Sequence, residues 1–185
     1  MLATVASSVV QGVDGHSITV EVHVSNGLPG YTLVGLPDAS CRESRDRVRA
    51  AILSSGFKWP SRRVTINLAP TGLRKQGASL DLPIALGILA ASDQLVKGAL
   101  ADTGAIGELG LDGSVRPVPA LVSLADAIAA PQILVPAEGA AQAAVIRPGS
   151  VRAITNLAEA VAGLNNTAPL PSVCLLYTSP SPRDS

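Results

Sequence analysis

The run from Val64 to Ala91, VTINLAPTGLRKQGASLDLPIALGILAA, limits what this chain can fold into more than any other stretch. It opens with a β-branched strand, Val64 to Leu68, turns through Ala69-Pro70-Thr71-Gly72, and crosses a basic, glycine-containing loop from Leu73 to Ala78. From Leu82 to Ala91 nearly every side chain is apolar. A helix without a wet face must lie in the interior, with other elements around it. Asp81 or Ser79 is expected to cap it, because either side-chain oxygen can accept from the orphan N–H groups of a first turn. Pro83 sits early enough that its missing N–H costs nothing. A polar loop carrying Arg74, Lys75 and Ser79 at the mouth of a buried helix is a place for chemistry, since helix N-termini favour anions and can polarise a hydroxyl. The plainer reading, Ser79 as a cap and no more, stands beside it.

The rest of the chain must surround that helix. Nearly half of the 185 residues are hydrophobic, yet there are only one Trp, one Phe and two Tyr, so the core is built from Val, Ile, Leu and Ala in one domain. Residues 3–11 and 17–25 read as two strands joined by the glycine turn at Gly12 to Gly15. In the second, Ile18, Val20, Val22 and Val24 alternate with Thr19, Glu21 and His23, the period of a strand with one wet face. Tyr31 to Leu36 is a short third strand. Pro37-Asp38 opens a helix through about Ser55, stopped by Gly56, with Cys41, Ser44, Val48, Ala51 and Ile52 on its core stripe. Phe57 and Trp59 are expected to plug the core beyond it. Leu111-Asp112-Gly113 marks a hairpin. Leu121 to Ala130, Ile133 to Val135, Ala137 to Val145, Val151 to Ile154 and Leu157 to Gly163 then alternate helix and strand. The fold class is α/β, or α+β: hairpins first, crossover units after.

Charge excludes little in bulk, since fourteen Lys and Arg balance fourteen Asp and Glu. A nucleic-acid role therefore requires a local patch. Arg42, Arg45 and Arg49 form one helical row that suits a phosphate backbone, a carboxylate-bearing subunit or plain solvent. Glu43 and Arg47 are spaced as an i,i+4 pair. His16 and His23 lack the Cys or carboxylate company of a metal site. Two cysteines, Cys41 and Cys174, make no disulfide framework and fit a reducing compartment. With no eighteen-residue apolar run and no basic leader, a soluble cytoplasmic protein without membrane contact is expected. Residues 1–164 are taken as the domain and 165–185 as a structureless tail rich in Pro and Ser. Its last 12–14 residues or so have the look of sequencing-adapter read-through, in which case the natural chain continues beyond about residue 172.

Three stretches together resemble a known family: GLPGYTLVGLPD from Gly27, RESRDRVRAAI from Arg42 with SGFKWP from Ser55, and NLAP from Asn67 with Arg74-Lys75 and DLPIALGIL from Asp81. They are similar to the N-terminal domain of the Mg-chelatase-like AAA+ ATPases called ComM or YifB, over residues 3–163. The resemblance implies the fold of the Lon protease domain, shared with domain 2 of a small-subunit ribosomal protein. It also implies a homo-oligomeric ring, and a following AAA+ module that binds ATP and Mg2+ and drives branch migration of DNA during natural transformation. No G-x-x-x-x-G-K-[ST] loop occurs in this chain, so no cofactor and no ATPase activity are expected of it alone. The wider likeness to Lon-type peptidases puts Ser79 at the nucleophile position and Val122 where the catalytic lysine belongs. Valine cannot take a proton from a serine, and a lone hydroxyl is a poor nucleophile. Lys75 is the one substitute base within four residues. The expectation is a peptidase-like scaffold without its chemistry, kept for assembly or for substrate contact. Arg42, Arg45, Arg49, Arg74 and Lys75 are its candidate nucleic-acid or subunit contacts. A serine peptidase using Ser79 with Lys75, and a pure oligomerisation module, are the alternatives.

Overall fold

A computed structural model describes residues 1–75 and 78–173. Strands β1 (Leu2–Gln11) and β2 (Asp14–Ser25) form the expected hairpin, followed by β3 (Gly30–Val34), helix α1 (Asp38–Ser54) and β4 (Arg63–Ala69). A 3₁₀ turn, Ala78–Leu80, leads into α2 (Asp81–Ala91). Strands β5 (Thr103–Ala105), β6 (Glu108–Leu109) and β7 (Val115–Arg116) precede α3 (Leu121–Ala127), β8 (Gln132–Pro136), α4 (Ala140–Ile146), β9 (Val151–Ile154) and α5 (Leu157–Leu164). Seven strands make one mixed sheet in the order β3-β4-β2-β1-β5-β8-β9, and β6 with β7 makes a separate two-stranded ribbon. The α/β class read from the pattern is the observed one.

Alternation sets which face of the hairpin is dry. Ile18, Val20, Val22 and Val24 are buried together with Val5 and Val9 across the register Val5 to Val20, and Val64, Ile66 and Leu68 of β4 continue that layer. The apolar helix α2 lies against it, every residue from Asp81 to Leu89 buried. It comes close at Gly87, where an added Cβ would sit 2.6 Å from Cγ2 of Val22. Glycine in mid-helix costs about 1 kcal/mol of propensity; here its missing side chain is what lets helix and sheet touch. Helix α3 covers part of the opposite face. Ser8 donates its hydroxyl to the Leu124 carbonyl at 2.6 Å, and a side chain on Gly15 would strike the Ser123 carbonyl. Arg147, at the end of α4, donates to the carbonyls of Ala125, Ile128 and Ala130, at and just beyond the end of α3.

Three expectations are corrected. Neither Asp81 nor Ser79 caps α2: the cap position is Leu80, with no side-chain hydrogen bond, because the 3₁₀ turn and a backbone clamp do that work. The Leu82 N–H donates to the Gly107 carbonyl at 3.0 Å, and the Gly107 N–H donates to the Ser79 carbonyl at 2.8 Å. Glu43 does not hold Arg47, whose guanidinium turns inward to Asp81. Residues 165–173 are not loose. Ala153 donates to the Pro171 carbonyl at 3.0 Å, Arg152 bridges to Ser172, and Leu170 packs on Gly163. The expectation for residues 174–185, Cys174 included, lies outside the described residues. Phe57 and Trp59 do pack against the core half-buried, Trp59 stacked on Tyr31 with ring centroids 5.8 Å apart.

The contact at Gly87 makes a prediction. Gly87→Ala gains about 1 kcal/mol of helix propensity and loses about 1–3 kcal/mol to overpacking against Val22. A net loss of about 1 kcal/mol is expected in urea denaturation; a more stable variant would mean that α2 can withdraw from the hairpin.

Candidate functional site

The sequence directed attention to the mouth of α2, and two separate arrangements meet there. The first is a buried ion pair. Asp81 is fully buried, and its carboxylate accepts from Arg47 Nε at 2.6 Å and from the second guanidinium nitrogen at 3.3 Å. The Ser44 hydroxyl donates at 2.9 Å and the Leu109 N–H at 3.2 Å. Ser44 and Arg47 are one turn apart on α1, so one helix face supplies two donors, while β6 supplies the third. Burial pushes the Asp81 carboxyl above its ordinary range, and Arg47, Leu109 and Ser44 pull it back. The Arg47 guanidinium is raised by its bond to that carboxylate. With four hydrogen bonds, one partner carrying a full positive charge, the carboxylate is the form this site is built around. Sequence reasoning missed it. The available signal was an acid at the start of a helix with no wet face, together with a serine on the core stripe of α1.

The second arrangement is a hollow of about 580 Å³ beside Ser79. Val9, Val10, Pro119 and Leu124 give it apolar walls, and Gln11, Arg74 and Ser79 supply the polar atoms. Lys75 is not part of it. It faces a different hollow, with Leu36, Pro37, Ser40 and Leu73, and its ammonium donates to the Pro70 carbonyl at 2.6 Å. Lys75 is only 3% exposed, and that burial lowers its pKa. The folded chain therefore holds this proton less tightly than the unfolded chain. The group costs stability below its folded pKa, and the cost fades as the pH rises toward the ordinary lysine value. Among the described residues no hydrogen bond joins Lys75 to Ser79. Val122, exposed on α3, does not line the Ser79 hollow.

The remaining candidates are scattered. Arg42 and Arg49 are exposed on α1, whereas Arg45 is engaged by Asp46 at 3.3 Å. Arg74 borders the Ser79 hollow, far from that row in sequence and on another element. His23 lies exposed on β2 opposite Leu2 and Thr65. Among the described residues no three His, Cys, Asp or Glu side chains gather as a metal site would require, and no helix is long and apolar enough to cross a membrane.

A mixed sheet packed on a buried helix, with an acid at the start of that helix locked to a neighbouring helix, defines an α/β domain with a hollow at the helix mouth. A family model described as subunit ChlI of Mg-chelatase matches residues 20–139. The chain belongs to that Mg-chelatase ChlI-subunit family. It is 49% identical over 147 residues to a protein named YifB from Salmonella typhimurium, covering 78% of this chain and 29% of the relative. It is 50% identical over 124 residues to YifB of Escherichia coli, with 67% and 24% covered. It is 41% identical over 172 residues to the competence protein ComM of Haemophilus influenzae, with 92% and 34% covered. The chain thus spans about a quarter to a third of the length of these relatives.

The ion pair yields a double-substitution prediction. Asp81→Ala leaves the Arg47 charge and the Leu109 N–H without their partner and should cost about 3–5 kcal/mol. The pair Arg47→Met with Asp81→Leu should recover most of that loss, since replacing a buried ion pair with apolar groups is often neutral or stabilising. Chemical denaturation of the three proteins reads both effects; a double variant as weak as Asp81→Ala would refute the charge-pair account.

Proposed function

We propose that this chain is a non-catalytic domain of a ComM/YifB-type Mg-chelatase-like ATPase, built like the Lon protease domain and serving assembly or substrate contact. The whole protein would be a DNA motor, with ATP and Mg2+ held by a module outside this sequence. Similarity to a relative named a competence protein supports an action on incoming DNA, and branch migration of recombination intermediates is the activity proposed for the whole. Assembly as a ring of identical subunits in the cytoplasm belongs to the same proposal.

The observation that carries the non-catalytic reading is the direction of Lys75. A serine hydroxyl becomes a useful nucleophile only when a base within hydrogen-bond reach removes its proton. Ser79 faces one hollow, and the amine of Lys75 is spent on the Pro70 carbonyl in another. The aliphatic Val122, at the position where the resemblance would put a base, has no proton to move. A serine hydroxyl without its base loses several orders of magnitude in rate. What remains is a partly apolar hollow with one arginine at its edge, on a domain stiffened by the Asp81 lock. Such a domain can grip or position without reacting.

A serine-reactive phosphonate tests this. No labelling of the intact chain is expected from neutral to mildly alkaline pH, and none above the level of Ser79→Ala. Labelling that depends on both Ser79 and Lys75 would establish the peptidase alternative and end this reading.

A further inference from the structure

The opposite charges of this chain balance in total but not in place. Between Asp46 and Asp81 lie 34 residues without a single acid, and they carry seven cations: Arg47, Arg49, Lys58, Arg62, Arg63, Arg74 and Lys75. The structure spends two of these internally, Arg47 on Asp81 and Lys75 on Pro70, and sets Arg74 beside the Ser79 hollow. Arg49, Lys58, Arg62 and Arg63 are left exposed, and among the described residues none forms a salt bridge.

Topology brings these four to one end of the sheet. β3 and β4 are parallel neighbours joined through α1, so the helix must run back along the sheet and finish where both strands start. Arg49 lies in the later turns of α1, Lys58 in the connection, and Arg62 and Arg63 at the start of β4. The Gly30 N–H donates to the Arg62 carbonyl at 3.4 Å, tying that start to the edge strand. The guanidinium of Arg63 lies over Gly30, about 4.0 Å from where a side chain there would begin. Lys58 is held by its backbone: its N–H donates to the Gln94 side-chain oxygen and its carbonyl accepts from the Gln94 amide, both at 2.8 Å. β3 is the outermost strand, so no further strand lies beside the Gly30–Arg63 pair on its outer side. Arg42 extends it along the flank of α1, and Asp38 and the Arg45–Asp46 pair mark where it stops being purely positive.

We propose that this end, formed by Arg49, Lys58, Arg62 and Arg63 with Arg42 alongside, is a sequence-independent contact for the phosphate backbone of duplex DNA. The proposal rests on the reading of a domain that serves a DNA-acting protein, and it moves the contact away from the loop of Arg74 and Lys75. Exposed cations that outnumber the acids around them, Glu43 and Asp46 on α1 and Asp93 next to the Gln94 that holds Lys58, keep a net attraction for phosphate. Spread over a helix end and the starts of strands, they match backbone contact and not the reading of bases.

Fluorescence anisotropy of a short labelled duplex of mixed sequence, titrated with the intact 185-residue chain over a salt series, tests it. Removing one cation that neutralises a phosphate should flatten the plot of log affinity against log salt by about 0.9. Arg49→Ala, Arg62→Ala and Arg63→Ala combined should therefore flatten it by about 2 to 3. Lysine at the same three positions should keep the slope. Alanine at Lys97, Arg116 and Arg152, the same change of charge elsewhere, should leave it unaltered, and far-UV circular dichroism should match for all. No binding by the parent chain, or equal weakening in both alanine triples, overturns the contact while the non-catalytic reading stands. Self-association that disappears in the first triple without change in DNA affinity assigns this end to a second copy and overturns it as well. Phosphonate labelling of Ser79 would instead strike the proposed function and leave the DNA titration to be judged by itself.

Discussion

The carboxylate of Asp81 is the constraint on which the rest of this domain depends. It sits at the first residue of a helix with no surface of its own, where an unpaired charge would be costly by several kcal/mol. Its four hydrogen bonds come from two other elements, α1 through Ser44 and Arg47 and β6 through Leu109. The same charge that α2 has to neutralise thereby fixes where α1 crosses it and where the ribbon of β6 and β7 attaches. Apolar burial alone would hold α2 against the hairpin without fixing its rotation, because a helix buried on every side has no preferred face. A directional polar lock on such a helix supplies the missing specification.

Beside that lock, a backbone clamp holds the edge of the neighbouring hollow. Ser79 belongs to the 3₁₀ turn that enters α2, and its carbonyl is held by the Gly107 N–H while the Gly107 carbonyl takes the Leu82 N–H. The backbone that follows the serine at the hollow's edge is therefore pinned by Gly107. Chemistry needs something more, a base within reach, and the two nearest lysine-related positions fail in different ways. Lys75 has the amine but turns to a carbonyl in another hollow, and Val122 has no amine to turn.

Charge distribution adds a second layer of organisation. The first half of the chain, to Leu80, holds nine of the basic residues, and four of them, Arg49, Lys58, Arg62 and Arg63, gather where α1 returns to the start of β4. The far edge of the sheet is treated differently. There β9 is covered by the chain's own residues 171 and 172, which close off an edge that would otherwise offer free backbone groups. One side of the sheet is thus sealed by the chain itself, while the other is left positive and open.

The sequence by itself determined what depends on near neighbours. Alternating Val and Ile in β2 set its dry face, the unbroken apolar run set the burial of α2, the Leu111-Asp112-Gly113 turn set the ribbon, and the spacing of Val48, Ala51 and Ile52 set the inner face of α1. The family could likewise be named from three local motifs. Only the tertiary structure decided the polar partners. Arg47 is four residues from Glu43 and 34 from Asp81, and it chose the distant acid because a buried carboxylate gains far more from a guanidinium than an exposed one does. Lys75 likewise pointed to Pro70 and not to Ser79, and residues 165–173 found a strand edge to lie on. Periodicity reports how each segment meets its own neighbours in the chain; which charge meets which across the fold is settled only when burial makes an unpaired group too costly to leave alone.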